Sequence, residues 1–417
     1  MGAPAAEPVL PPNPHLCRGV VLTQFGRLVL ALWHVVGVLV LVVLFTEFGV
    51  DWLRRLARRL RRGRAQKPDA AAVADAHRGA AWPLAYCAEF SRAVRVDWKP
   101  YVEWWQRPFR GAYVTLDARG LRPTPGETEA PADAVKIFCF GGSTTMGLGA
   151  RDEATIPAIL ARRLTELGQV VAVTNFGQLG HNSTQEAITL WQLLKRGQRP
   201  DIAVFYHGIN EMTCAEQSGR ADALFNESRR RAEFNLLHPQ RRGDLLKAAL
   251  LTAMPRTVRR LRRLTGLALR GPLPPPDADL TTIDTAALAA AVAETYAANI
   301  RLVRLLAREH GFRPLFFWQP AITTKKTKSP DEQRFEADYT KDVIGRRRFY
   351  AAIVATRAAH SAIAGAADAV DLSALFDDLA DPVYIDAFHL SEAGNAAVAE
   401  AMLPRVAAAV AEVSGRA

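Results

Sequence analysis

The chain has 417 residues, of which 49% are apolar and 23% are charged. This composition excludes a wholly disordered or low-complexity chain and allows one large domain with appendages or two ordinary domains. The net charge of +11 is concentrated in two segments: 54–67 holds eight basic and no acidic residues, and 241–270 holds nine and one. Both segments are interleaved with leucine, and no zinc-finger, RRM or recognition-helix signature accompanies them. They therefore predict contact with a membrane surface and argue against nucleic acid as a partner.

An apolar segment near the N-terminus, residues 28–46, predicts one transmembrane helix after a tail of residues 1–27. Its nineteen residues contain no charged side chain other than a possible charge at His34, and this is about the length that crosses a bilayer core. A cleaved signal peptide is the alternative, but the run is long for one and no small-residue cleavage site follows directly.

The flanks of this segment predict a single-pass protein of the cell (inner) membrane. Basic residues are more numerous in the juxtamembrane segment 47–67 than in the tail, so the positive-inside rule places the main domain in the cytoplasm. The same segment also has leucines spaced to lie flat on anionic lipid, which is not confined to one leaflet. A periplasmic or other extracytoplasmic domain is therefore the alternative.

Residues 68–96 are rich in alanine and predict a linker or helical stalk. Residues 97–134 concentrate aromatic side chains, which we expect to pack on the core, with an aromatic platform for a sugar as the alternative.

From 135 to 413, apolar strands alternate with amphipathic helices, and this predicts an α/β domain with about five mostly parallel strands covered on both faces. Strands are predicted at 135–140, 170–175, 202–207, 314–319 and 369–372, and helices at 155–168, 183–196, 286–310, 340–364 and from 391. A basic, leucine-rich insertion at 211–283 interrupts this alternation.

Polar residues follow several of the predicted strands, and open parallel sheets bind ligands at this carboxyl edge. Ser143 lies on a glycine-rich turn after the first strand, where backbone amides face a developing negative charge. Gly177 follows the second strand and Asn210 follows the third. Together they have the composition of an oxyanion hole, a set of N–H donors for a developing negative charge on oxygen.

Asp386 and His389 stand three residues apart just before the last predicted helix, a spacing that lets the carboxylate reach the imidazole. We therefore predict that Ser143 is a nucleophile, that His389 is its base and later an acid, and that Asp386 fixes the tautomer of His389. His181 and His207 either line this site or are satisfied loop histidines, and Cys214 is expected to pack in a loop. The four cysteines include no CxxC pair and are too few for a disulfide scaffold.

These residues, in this order, resemble the SGNH/GDSL hydrolase family over about residues 135–413. Ser143 matches the first conserved block, Gly177 the second, Asn210 the third, and Asp386 with His389 the last. The resemblance implies a flavodoxin-like three-layer α/β/α fold, no metal and no cofactor, and acyl-enzyme chemistry on esters. It also implies oxyanion donors from the amides of Ser143 and Gly177 and the side chain of Asn210. Gly-Gly-Ser replaces the Gly-Asp-Ser of the namesake motif, and Glu211 stands where Asp is usual.

The sequence thus predicts a membrane-anchored serine esterase that acts on an acylated glycan, a lipid ester or a similar small ester. An O-acyltransferase of envelope glycans with the same triad is the first alternative, because water and an acceptor hydroxyl can attack the same acyl-enzyme. A catalytically inert membrane scaffold is the second. Within the insertion, 241–270 is expected either to contact the membrane or to form a solvated basic helix on the core.

Overall fold

The computed structural model describes residues 80–237, 282–340, 346–360 and 365–415, together with residues 27, 29–38, 40–42, 45, 77 and 363. The predicted juxtamembrane helix at 47–67 and the basic segment at 241–270 lie outside these residues. Two compact units divide the chain. One comprises residues 1–66 and 232–273, and the other comprises residues 67–231 and 274–417.

The second unit holds nearly all of the described secondary structure. Its strands are β1 (Val96–Lys99), β2 (Glu103–Gln106), β3 (Phe109–Arg110), β4 (Thr115–Leu116), β5 (Val135–Gly141), β6 (Val171–Asn175), β7 (Ile202–His207), β8 (Arg313–Trp318) and β9 (Ala369–Asp371). The helices are α1 (Pro83–Ala93), α2 (Ser143–Met146), α3 (Ile156–Glu166), α4 (Ser183–Lys195), α5 (Ile209–Ser218), α6 (Glu227–Leu237), α7 (Thr285–His310), α8 (Pro330–Thr340), α9 (Arg346–Ala359) and α10 (Glu392–Ser414). α6 continues past the boundary between the units at Arg231.

Five parallel strands form the central sheet in the order β6-β5-β7-β8-β9. Numbered by their position in the chain, they stand in the order 2-1-3-4-5, which is the flavodoxin-like arrangement. The predicted α/β fold with a five-stranded parallel sheet flanked by helices is confirmed. Within the range of the helix predicted at 340–364, the described residues form α9, and α8, which ends at Thr340, was not predicted.

Alternate residues of each strand point to opposite faces of the sheet, and both faces are apolar. Phe140, Phe205 and Phe316 stack across three neighbouring strands on one face, with ring centroids 4.9 and 5.3 Å apart. This face belongs to a core shared with α4, α7 and α9. The other face packs against α3 and α10. Burial on both faces explains why the strands read as continuous apolar runs.

The segment before the sheet is folded against the same unit. Tyr86, Phe90 and Ala93 of α1 are buried in a small cluster with Val114 and Met146, so the described part of the predicted stalk is a packed helix. β1 pairs with β2 and β3 pairs with β4 as two antiparallel hairpins. The aromatic lead-in packs partly on the core: Trp104 and Trp105 are buried, whereas Trp98 and Tyr101 are exposed.

Residues 29–38 of the other unit are helical, and their large apolar side chains are mostly exposed. The predicted membrane-spanning segment, 28–46, lies only partly within the described residues. No helix formed by those residues is both long and apolar enough to span a bilayer.

Arg122 connects the aromatic lead-in to the loop that follows α2. Its guanidinium is fully buried and donates to Asp152 Oδ1 at 2.7 and 2.9 Å. It also donates to the carbonyl oxygens of Tyr113, Gly147 and Ala150 at 2.8–3.2 Å. The planar guanidinium therefore makes five hydrogen bonds, to three backbone carbonyls and one carboxylate.

Replacing Arg122 with methionine is expected to destabilise the fold by about 3–5 kcal/mol, because the carbonyl oxygens and Asp152 lose a buried charged partner. Arg119→Met on the same segment is the matched control. This arginine is half exposed and pairs with Asp117 and Glu127, so its loss should cost about 1 kcal/mol or less. Urea unfolding of the two variants and the wild type measures the difference. Equal midpoints for the two variants would contradict the role given to Arg122.

Candidate active site

Ser143 begins α2 directly after β5, and the glycine before it allows a second group to approach. A Cβ on Gly142 would lie 2.1 Å from Nδ2 of Asn210. Position 142 must therefore be glycine if the Asn210 carboxamide is to pack against the backbone just before Ser143. The same Nδ2 donates to the carbonyl oxygen of His181 at 2.6 Å, which uses one of its two hydrogens and leaves the other for a ligand.

The structure brings Ser143, His389 and Asp386 into one hydrogen-bonded chain. His389 Nε2 lies 2.8 Å from Ser143 Oγ, although the two residues are 246 positions apart. His389 Nδ1 lies 2.7 Å from Asp386 Oδ2. Asp386 Oδ1 accepts the backbone N–H groups of Phe388 and His389, each at 2.8 Å. One carboxylate therefore shapes the turn that carries the imidazole and also orients its ring.

The Asp386 carboxylate is held in its ionised form. Burial acts to raise its pKa, but the charge of His389 and the hydrogen bonds from His389 and Phe388 outweigh burial, so the pKa lies below its ordinary value. An ionised Asp386 accepts a hydrogen bond from the Nδ1–H of His389, which leaves Nε2 of the neutral imidazole free to accept the proton of Ser143 Oγ.

A buried ion pair supports the segment that leads into this turn. Lys325 and Glu332 are fully buried, and Nζ lies 2.7 Å from Oε2. Oε1 of Glu332 also accepts the N–H groups of Val383 and Tyr384, while Lys325 Nζ donates to the carbonyl oxygen of Asp381. The pair thus fixes the backbone a few residues before Asp386.

A second contact fastens the other end of the turn. Arg151, in the loop after α2, donates to both carboxylate oxygens of Glu392 at 2.7 and 2.8 Å. Glu392 is the first residue of α10, three positions after His389. Because Arg151 follows Ser143 closely in the chain, this contact connects the serine side of the site to the histidine side.

Gly177 lies against α2, but its amide has a different partner from the predicted one. A Cβ at this position would meet Met146 N at 2.3 Å, so the close packing requires glycine. The Gly177 N–H donates to Asn175 Oδ1 at 2.9 Å, whereas the prediction directed it to a substrate oxygen.

Gly180, in the turn closed by the bond from His181 N to Gln178 O, has φ +71°. Gly180 directly precedes His181, whose carbonyl oxygen accepts the hydrogen bond from Asn210 Nδ2. The sequence did not indicate that these two loops lie close together.

Glu211, which stands where the resembled family has Asp, joins two loops at the site. Its Oε1 accepts the N–H of Ser183 at 2.6 Å and its Oε2 accepts that of Gly208 at 2.9 Å. It therefore fixes the turn that presents Asn210 and the start of α4 at the same time.

Both remaining histidines near the site and Cys214 are buried. His207 Nε2 lies 2.8 Å from Glu186 Oε2. Burial lowers the pKa of His207 to about 4, and burial together with the charge of Glu211 raises that of Glu186 well above its ordinary value. Both shifts favour the uncharged form of the group, and they act on stability in opposite directions as the pH falls, because unfolding lets His207 take up a proton and lets Glu186 release one.

We find no family model that matches the sequence, and no curated protein matches it. Several solved structures are similar in fold. An acetyl xylan esterase, AlAXEase, has 16% identity and a TM-score of 0.35, and the match covers 65% of this chain and all of that one. The acetyl xylan esterase Axe2 from Geobacillus stearothermophilus has 14% identity, a TM-score of 0.31 and coverage of 65% and 93%. A G-D-S-L family lipolytic protein from Veillonella parvula has 13% identity, a TM-score of 0.34 and coverage of 65% and 97%.

His181 should make the fold sensitive to mild acid. Burial lowers its pKa to about 3, and the charges of Lys99 and Arg230 act in the same direction, against the hydrogen bond to the Trp104 carbonyl. An unfolded histidine titrates near 6.5, so between these values the unfolded chain binds one more proton than the folded chain. Stability should therefore fall as pH decreases below 6.5, by about 1.4 kcal/mol per pH unit from this residue.

Urea unfolding at several pH values between 4.5 and 7 measures this slope in the wild type, His181→Gln and the control His310→Gln. The slope should decrease by one proton in His181→Gln alone. An unchanged slope in that variant would show that His181 does not carry the effect.

Proposed function

We propose that this protein is a serine ester hydrolase of SGNH type that acts through an acyl-enzyme on small esters, including acylated glycans or lipid esters. The observation that carries the proposal is the chain of hydrogen bonds from Ser143 Oγ through His389 to Asp386, at 2.8 and 2.7 Å. These groups are contributed by two distant parts of the sequence and meet at the carboxyl edge of the sheet, where ligands bind in open parallel α/β folds.

The chemistry follows from the geometry. Ser143 Oγ attacks the carbonyl carbon of the ester while His389 Nε2 accepts its proton, and the ester carbonyl becomes a tetrahedral oxyanion. The intermediate collapses with the alcohol as leaving group, and His389 returns the proton to the alcohol oxygen. Water then attacks the acyl-serine, with His389 taking a proton from the water and restoring it to Ser143 as the acid leaves. Asp386 holds the imidazole in the required tautomer throughout.

The oxyanion would lie between the amide of Ser143 and the carboxamide of Asn210. Asn210 is held by its bond to the His181 carbonyl, so it needs no reorganisation when charge develops, and such preorganised donors supply much of the rate of acyl transfer. The amide of Gly177 is paired with Asn175. We therefore assign the principal donor roles to Ser143 and Asn210, with Gly177 as a donor only where a substrate displaces that partner.

Replacing Ser143 with alanine should abolish covalent labelling by a fluorophosphonate and reduce hydrolysis of nitrophenyl acetate by about 10⁴-fold or more, because the nucleophile is gone. Asp386→Asn should label slowly and lose about 10⁴-fold in kcat, because the wrong tautomer of His389 then faces the serine. Ser91→Ala, an exposed serine on α1, is the matched control and should behave as the wild type.

The outcomes separate the alternatives. Labelling and turnover that depend on Ser143 support the hydrolase. Labelling without turnover, with release of product on adding a sugar acceptor, would favour an O-acyltransferase. If folded wild-type protein is not labelled, the proposal fails and an inert scaffold becomes the better interpretation.

We also propose that the apolar segment 28–46 anchors the protein in the cell membrane, with the ester-hydrolysing unit in the cytoplasm. The support is the length of the uncharged run, its basic C-terminal flank and the exposure of the apolar side chains in its helical residues. His34 Nδ1 lies 2.7 Å from the carbonyl oxygen of Leu30, so the polar ring has a partner within its own helix.

Deleting residues 28–46 should move the protein from the carbonate-washed membrane pellet to the supernatant. The side of the membrane can be read from Cys87, an exposed free thiol, since Cys139 and Cys214 are buried. In a Cys17→Ser variant, a membrane-impermeant maleimide should label Cys87 only after the cells are permeabilised. Labelling in intact cells would place the unit outside the cytoplasm, and a deletion variant that stays in the pellet would contradict the anchor.

A further inference from the structure

A groove of about 630 Å³ runs along β6, the edge strand of the sheet, and extends to the amino-terminal ends of β5 and β7, and this volume is typical of sites for small ligands. Lys136, the second residue of β5, and Asp201, which directly precedes β7, line it and mark the amino-terminal edge of the strands. Phe138 contributes aromatic surface, whereas Trp105 and Phe176, which also line the groove, are largely buried. Five cationic side chains surround this surface: Lys99, Arg119, Lys136, Arg196 and Arg199.

The positive charge of the groove is not balanced by its own acids. Asp201 is the one acidic residue that lines it, and its Oδ2 already accepts the N–H of Lys136 at 2.8 Å. Its other oxygen is 3.7 Å from Arg199. Within the described parts of the chain, no carboxylate lies within ion-pair distance of Lys99, Lys136 or Arg196. Three cations therefore share one cavity without a counter-ion from the protein.

The environment of Lys99 in this groove disfavours its positive charge. Its Nζ lies 3.3 Å from the centre of the Trp105 ring, so the ammonium is held between an aromatic face and the neighbouring cation. Burial, together with the charge of Arg196, lowers the pKa of Lys99 to about 8. A desolvated cation beside a second one is stabilised when an anion enters, because the anion supplies the charge and the hydrogen-bond acceptors that the site lacks.

We propose that this groove binds an organic phosphate, with the phosphate between Lys99, Lys136 and Arg196 and the apolar body against Phe138. A phosphate monoester matches several unpaired cations, since it carries close to two negative charges near neutral pH and three acceptor oxygens. The aromatic surface would contact the organic group of such a ligand, which an inorganic ion lacks. The groove does not contain Ser143, Asp386 or His389, and the proposal does not depend on the proposed hydrolysis.

Calorimetric titration of the full chain in a neutral detergent, at pH 7.5 and fixed ionic strength, tests the proposal with three probes. Phenyl phosphate should bind saturably, inorganic phosphate more weakly, and benzyl alcohol without a detectable signal. Lys99→Met and Arg196→Gln should each weaken phenyl phosphate by about tenfold, through loss of charge-assisted hydrogen bonds. Arg405→Gln on α10, an arginine that is exposed like Arg196 but does not line the groove, is the matched control and should bind as the wild type.

Two sources of phosphate can then be distinguished. Phosphatidylglycerol added to the micelles should displace phenyl phosphate if the groove takes a lipid headgroup, and should leave it bound if the groove takes a soluble compound. Thermal unfolding of each variant shows whether it is folded. Absence of saturable binding by phenyl phosphate, equal binding of benzyl alcohol, or wild-type affinity in folded Arg196→Gln would overturn the proposal.

Discussion

Parallel pairing in register is the constraint on which the site depends. Gly141 stands opposite Tyr206, Cys139 opposite Asn175, and His207 opposite Trp318, so four strands end at nearly the same level. The residues that follow are therefore placed side by side: the serine after β5, the glycine loop after β6, the asparagine after β7. Gln319, after β8, also reaches this edge, where it accepts a hydrogen bond from Thr144 at 3.1 Å. None of these groups is close to another in the chain, and the register alone brings them together.

The sequence predicts well what is local. Continuous apolar runs marked all five sheet strands, and the helices predicted to start near 155, 183 and 391 begin there, capped by Thr155, Asn182 and Ser391. Asp386 and His389 were predictable as a pair because a separation of three residues fixes their distance. Ser143 and Asn210 were predictable because each follows an apolar strand and a glycine.

What the sequence missed depends on contacts between distant segments. Arg122, Lys325 and Arg151 act through partners that only the fold brings near, and a lone arginine or lysine gives no signal of such a role. The hydrogen bond from the Gly177 amide to the neighbouring Asn175 side chain at 2.9 Å was also not predicted, and the role of this amide toward a substrate stays a prediction. The alanine-rich composition before residue 97 suggested a stalk, but two aromatic residues of α1, Tyr86 and Phe90, are enough to pack the described part on the folded unit.

The turn from Val383 to Ser391 has a mechanical consequence. Backbone bonds from Ile385 N to His389 O and from Ser391 N to Val383 O close it at 3.0 and 2.7 Å, and Asp386 and His389 both lie inside it. Any displacement of this turn therefore moves the Asp386–His389 pair as one body and leaves the tautomer intact. It changes a single coordinate, the separation between Nε2 and the serine oxygen. Because the Lys325–Glu332 and Arg151–Glu392 pairs fasten the two ends of the turn, this separation is set by contacts that lie outside the triad.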